Sequence, residues 1–174
     1  LSDVGAARGG LGQPAIGHHP LALNLCRVED ELAIRRILID YASFLDGRDY
    51  DRYAALFTPD AEWANPNGSH KGQAAIKQML SGTLGPALAP NVANYHIITN
   101  PRIDISGDTA KATSRYLFVM RDAKGTPAPS LAGVYADDLV KLDGQWKIKR
   151  RYADNVMPTP EEWRAIISSQ KAAQ

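Results

Sequence analysis

Two residues far apart in the chain are of the types needed to take a proton from carbon. His96 lies in "YHIITN" and Asp46 in "YASFLDGRD". Neutral imidazole is the natural base near neutral pH. A carboxylate on its other nitrogen fixes the tautomer and stabilises the imidazolium that forms. Strand alternation puts His96, Ile98 and Asn100 on one face and Tyr95, Ile97 and Thr99 on the other. Periodicity does not say which face looks inward. Taken alone, a strand histidine is more often structural than catalytic, and Asp46 beside Gly47 reads equally as a helix-end turn residue. Tyr41 stands five residues before Asp46, about 500° of helix, which leaves the two roughly 140° apart. They converge only if the helix ends near Leu45 and the chain turns at Gly47.

The elements that must position these residues follow from pattern. Residues 1–26 are rich in Gly, Pro and small residues and read as an extended or poorly ordered leader, followed by a single domain over 27–174. From Val28, apolar residues at Val28, Leu32, Ile34, Ile37, Leu38, Tyr41, Phe44 and Leu45 predict an amphipathic helix. Its acidic residues come early and Arg35 and Arg36 later, as the helix dipole prefers. A short helix is expected in "DYDRYAALF", and a turn, a short strand and a loop in "TPDAEWANPNG". A third helix runs from Gly72 to about Leu84. The remainder is mostly strand, joined at Gly107-Asp108 and at Asp143-Gly144, the latter a strong hairpin signal. "TPEEWRAIISSQ" closes the chain with a helix capped by Thr159 and Glu162, with Pro160 in its first turn. Helices first and long antiparallel strands after them predict an α+β fold with helices on one face of a curved sheet. The layers enclose a pocket suited to a small apolar ligand.

Composition narrows the function. The chain has 174 residues, 44% hydrophobic and 22% charged, with a net charge of +1 when His is neutral. That length suits one domain with a sizeable core. The cluster "KIKRR" (residues 147–151) alternates with apolar residues and reads as a solvated strand face, so no nucleic-acid footprint is seen. One cysteine, Cys26, excludes an internal disulfide. No stretch approaches the roughly 18 apolar residues of a membrane span. There is no Gly-rich phosphate loop, flavin motif or metal-ligand cluster; His18 and His19 read as loop residues. Cofactor-independent chemistry is the consistent expectation. The compartment stays open, with the cytoplasm favoured and the periplasm the alternative.

The runs "LDGRDYDRYAALFTPDAEW", "HKGQAAI", "HIITN" and "GVYADDLVKLDGQWKIKRR" resemble, in order, the SnoaL-like branch of the nuclear-transport-factor-2-like superfamily. The resemblance covers about 29–155 and is closest to the lyase-type members: hexachlorocyclohexane dehydrochlorinase, scytalone dehydratase and bile acid 7α-dehydratase. It implies a cone-shaped, mixed curved sheet with helices on its concave face, an α+β barrel. It also implies an Asp46–His96 dyad, a polar role for Tyr41, and Arg151 in the last strand. Tyr41 is then a donor to a leaving hydroxyl or an enolate oxygen. Arg151 holds a leaving group or a carboxylate, or else makes a structural ion pair with Asp137 or Asp154. Tyr116, Phe118, Asn100 and Trp63 are the candidates to contact substrate, although a tryptophan is also a simple core or interface aromatic. His70, in "NGSHKG", reads as a loop residue, so a reaction needing two histidines is not supported.

The implied function is a cofactor-independent lyase (dehydration or elimination) or isomerase acting on a small hydrophobic cyclic substrate. The alternatives are a non-catalytic ligand-binding or oxygenase small-subunit-like protein, and a polyketide cyclase using the same acid and base. The resemblance also implies a homo-oligomer, trimer or dimer, formed through the open sheet face.

Overall fold

The computed structural model describes residues 20–86, 94–122 and 124–172. A long helix α1 (Pro20–Asp46) and a short α2 (Tyr50–Ala55) lead into strands β1 (Phe57–Asn65) and β2 (Gly68–Lys71). Helix α3 (Gln73–Leu84) follows, then four long strands, β3 (Asn94–Ser106), β4 (Thr109–Arg121), β5 (Pro127–Leu142) and β6 (Gln145–Met157), and helix α4 (Pro160–Ala172). The sheet order is β2-β1-β6-β5-β4-β3. All neighbours are antiparallel except β1 and β6, which run parallel. The fold is therefore mixed α+β, as expected, but the curved sheet stays open between its β2 and β3 edges and does not close into a barrel.

Two sequence expectations shift. The helix reaches back through 20–26, which were read as leader; Pro20 in its first turn, where a missing N–H costs nothing, was the signal. Residues 1–19 lie outside the described residues. His70 is on β2, paired with Trp63 across a hairpin, and not in a loop. The β5–β6 turn uses Asp143 (φ 50°) and Gly144 (φ 76°), the two left-handed residues that a tight hairpin requires. At α4, Thr159 and Glu162 exchange hydrogen bonds as a capping box.

Helix α1 presents Ile34, Leu38, Tyr41 and Leu45 to the interior, a spacing of one helical face. Val28, Leu32 and Ile39 remain exposed on the opposite face of the helix, while Asp30 between them accepts from Lys141 and Trp146 of the sheet. On β4, Ala110, Ala112, Ser114, Tyr116 and Phe118 are buried while the residues between them are not, the period-2 pattern of a strand with one covered face. On the outer face of β3, Tyr95 and Ile97 are exposed.

At the centre of the concave face sits a charge. Strand β6 buries Trp146 and Ile148, then carries a bulge opposite Asp138 and Leu139 that inverts its alternation. The bulge turns Arg151 inward in place of Arg150. Arg151 is 0% exposed. Its Nε and Nη2 donate to the two oxygens of Asp137 at 2.6 and 2.7 Å. Tyr41 and Tyr135 cover its guanidinium, with ring centroids 3.7 and 4.4 Å from Cζ. Burial works against that charge, and the Asp137 carboxylate more than restores it, so the Arg151 pKa lies above its ordinary value. Burial likewise pushes the phenols of Tyr53, Tyr116 and Tyr135 above their ordinary value of 10.0.

Removing one half of this ion pair leaves a buried charge without a partner. Asp137→Ala is expected to cost about 3–5 kcal/mol in urea unfolding, and Asp137→Leu combined with Arg151→Met much less. The three raised phenols also set an alkaline limit. Above pH 10 the unfolded chain releases tyrosine protons that the folded chain keeps. Stability is therefore complete below pH 10 and falls as pH rises through the range between the two sets of pKa values, by up to about 4 kcal/mol per pH unit for three groups. The share of tyrosinate absorbance that belongs to these three phenols should appear together with loss of structure, not before it.

Candidate active site

The turn after α1 builds the site. Arg48, not Gly47, takes the left-handed conformation there, with φ of 59°. Its side chain explains how a non-glycine residue is held in that region. Nη1 donates to the carbonyls of Leu45 (3.0 Å) and Asp46 (3.3 Å), and Nε to the carbonyl of Leu84 at 3.2 Å. A cation thus caps the open carbonyls at the C-terminus of α1. Nη2 donates to Asn94 Oδ1 at 2.5 Å, and Asn94 Nδ2 donates to Asp46 Oδ1 at 2.7 Å.

Asp46 therefore meets β3 in a fixed orientation. Its Oδ2 accepts the His96 backbone N–H at 2.8 Å, and its Oδ1 lies 2.6 Å from His96 Nδ1. The pair is sheltered, with side-chain exposures of 14% and 9%. An ionised carboxylate only accepts, so Nδ1 carries the hydrogen and Nε2 presents its lone pair. Nε2 has no hydrogen-bond partner among the described residues. Phe118 packs against the imidazole, with ring centroids 4.4 Å apart.

His96 looks into a cavity of about 550 Å³ between the sheet and helices α1, α3 and α4. Tyr41, Trp63, Tyr116 and Phe118 also line it, as the sequence suggested. Much of the wall is apolar, from residues such as Leu45, Met79, Leu80 and Leu131, with Trp163 and Ile166 contributed by α4. The Tyr41 hydroxyl accepts from Trp63 Nε1 at 3.2 Å, so its own hydrogen remains available.

Two expected site residues lie elsewhere. Arg151 does not line the cavity: both of its forked donors are bound to Asp137, and Tyr41 and Tyr135 stack on it. Of the two alternatives for Arg151, the geometry is that of the structural ion pair. Asn100 is exposed, with φ of 51°, inside the irregularity between Thr99 and Arg102. That break in the ladder removes it from the face it would share with His96 in a regular strand. Residues that sequence reasoning missed are Asn94 and Arg48, which hold Asp46. Their only signal was proximity: Asn94 stands two residues before His96, on the same face of the strand, and Arg48 two after Asp46.

Comparisons agree with this architecture. The SnoaL-like domain model matches residues 26–152. The chain is 32% identical over 133 residues to an uncharacterized protein of Mycobacterium tuberculosis, covering 74% of this chain and 87% of that one. It is 27% identical over 139 residues to gamma-hexachlorocyclohexane dehydrochlorinase of Sphingobium indicum, covering 79% and 87%. Among solved structures, a provisionally named scytalone dehydratase from Novosphingobium aromaticivorans matches with a TM-score of 0.66 and 33% identity, over 77% of this chain and 89% of that one. A nuclear-transport-factor-2-like protein with a cystatin-like fold from the same species gives a TM-score of 0.73 at 24% identity, over 83% and 93%, a likeness of fold alone. Lyase-type activity is represented at the family level by the dehydrochlorinase. With its family model covering most of the chain and its fold shared with these structures, the protein belongs to the SnoaL-like family.

Proposed function

We propose that the protein is a cofactor-independent lyase or isomerase in which His96, oriented by Asp46, removes a proton from carbon in a small, hydrophobic, cyclic substrate. The observation that carries this reading is the 2.6 Å contact between Asp46 Oδ1 and His96 Nδ1 at the wall of the cavity. It supports a base whose lone pair is on Nε2, where a substrate in the cavity can meet it.

The chemistry follows from those positions. The carbon-bound proton passes to Nε2, and the electron pair left on carbon forms a new double bond. In an elimination, that pair expels a leaving group from the adjacent carbon. In an isomerisation, the proton returns at another carbon. Imidazolium formed in a low-dielectric cavity is stabilised by the carboxylate on its far nitrogen, which stays ionised. Tyr41 supplies a hydroxyl hydrogen toward a departing or developing oxygen, and Trp63, donating to the same hydroxyl, holds it in place.

The test is exchange of acidic C–H protons for deuterium in D₂O, followed by NMR on a bicyclic ketone such as 2-tetralone, whose α-protons need only a positioned base. Wild type is expected to accelerate exchange, and His96→Ala to abolish that acceleration while keeping the wild-type circular dichroism spectrum. Asp46→Asn should lower the rate by at least about tenfold, because the imidazolium loses its counter-charge. Full exchange activity in His96→Ala would leave the cavity as a ligand-binding module only.

A further inference from the structure

The cavity holds a second polar device, opposite the base and outside the dyad. Tyr116 on β4, Gly133 on β5 and Asn155 on β6 are in register across the sheet, Tyr116 with Gly133 and Gly133 with Asn155. The Tyr116 hydroxyl donates to Asn155 Oδ1 and lies 3.5 Å from the carbonyl of Asp154. Both neighbours are acceptors, so the phenol must be the donor. The contact exists only because position 133 lacks a side chain. A Cβ there would lie 2.6 Å from the Tyr116 hydroxyl and 2.0 Å from the Asp154 carbonyl oxygen. Glycine thus lets Tyr116 lie flat across β5 and reach β6.

Fixing the oxygen of the Asn155 amide fixes its nitrogen. Asn155 lines the cavity and is half-buried, and its Nδ2 has no hydrogen-bond partner among the described residues. The other small hydroxyls on the wall are engaged. Thr83 Oγ1 donates to the Met79 carbonyl and Ser130 Oγ to the Ala128 carbonyl. Asn67 is exposed in the β1–β2 turn, and its Oδ1 accepts from Arg164. A ligand oxygen that accepts from this amide inside a largely apolar cavity replaces water there and gains a directional hydrogen bond that a hydrocarbon cannot make. His96 and Asn155 stand on strands three apart in the order β6-β5-β4-β3, roughly 14 Å along the sheet at about 4.8 Å per strand. The two side chains reach inward from either end of that span, and the curl of the sheet brings them closer.

We propose that Asn155 is a specificity-determining residue: its Nδ2, aimed by Tyr116 over Gly133, donates to an oxygen of the ring substrate on the far side of the cavity from the proton that His96 removes. The inference rests on the base assignment above and narrows its substrate class to oxygenated rings, carbonyl-bearing ones first. A purely apolar or halogenated ring offers this amide no good acceptor and leaves it unpaired. Sites with a buried donor reject ligands lacking the matching oxygen for that reason. Tyr116 acts through Asn155 and is a positioning residue.

The experiment compares binding of 2-tetralone and of its oxygen-free counterpart, tetralin, to the whole chain by NMR titration. Wild type should bind the ketone about tenfold more tightly relative to the hydrocarbon. Asn155→Leu should bind both equally, with tetralin affinity unchanged. Tyr116→Phe should lose most of the preference without losing tetralin, because the amide is then free to rotate. Should Asn155→Leu fail to fold, Asn155→Asp, close in shape but without a donor when ionised, serves in its place and should likewise abolish the preference. A wild type without preference, or a ketone preference that survives in the Asn155 variant, overturns the proposal. His96→Ala separates this inference from the base assignment. It should keep the ketone preference while losing deuterium exchange, and persistent exchange in that variant would count against the base alone.

Discussion

The carboxylate of Asp46 is the joint on which the site depends. It stands where the longest helix ends, and it accepts three hydrogen bonds from one strand: the His96 backbone N–H, the His96 ring and the Asn94 amide. The contact that orients the imidazole is therefore also part of the contact that docks α1 against β3. The proposed base would need its partner fixed to within a fraction of an ångström, and here rigidity comes from the main chain. The Arg48 guanidinium extends the same joint to the end of α3 through the Leu84 carbonyl. Two helix ends and one strand thus converge on a single carboxylate.

The cavity is built on a different principle. Behind its wall lies a charged pair, Arg151 with Asp137, sealed under the rings of Tyr41 and Tyr135. Such a pair adds little net stability compared with a well-packed apolar substitute, but it strongly resists losing one partner. Its geometric effect is to set the height of Tyr41 and Tyr135, which stack on the guanidinium and form part of the cavity wall. Polar groups inside the fold fall into two sets. Arg151 and Asp137 are turned on each other. His96 keeps Nε2 without a partner among the described residues and, like Tyr41, lines the cavity.

What the sequence discloses depends on how local the cause is. Helix α3, the C-terminal end of α1, the Asp143-Gly144 hairpin and the Thr159 cap are written in neighbouring residues, and they are found where expected. His96 and Asp46 were recognisable by type and by family resemblance, although only the fold brings them to 2.6 Å. Arg151 was harder, because β6 changes face at a bulge that no alternation count reveals. Asn100 failed for the same reason on β3: a break in the ladder and a left-handed residue cancel the period-2 argument. Asn94 and Arg48 have no signature of their own. An asparagine near a histidine and an arginine near an aspartate are common, and their importance lies in a hydrogen-bond chain that closes across 46 to 50 residues.

The bond from the His96 main-chain N–H has one more consequence. Among the described residues, strand β3 is an edge strand, with β4 as its one neighbour in the sheet. An edge offers unpaired N–H and C=O groups to any passing strand, and adding a foreign strand is a common route to aggregation. At His96 the outward N–H is already taken by a carboxylate from the helix. An incoming chain would have to displace a charged acceptor to extend the ladder there. The carboxylate that orients the His96 ring therefore also closes the sheet at that point to strand exchange.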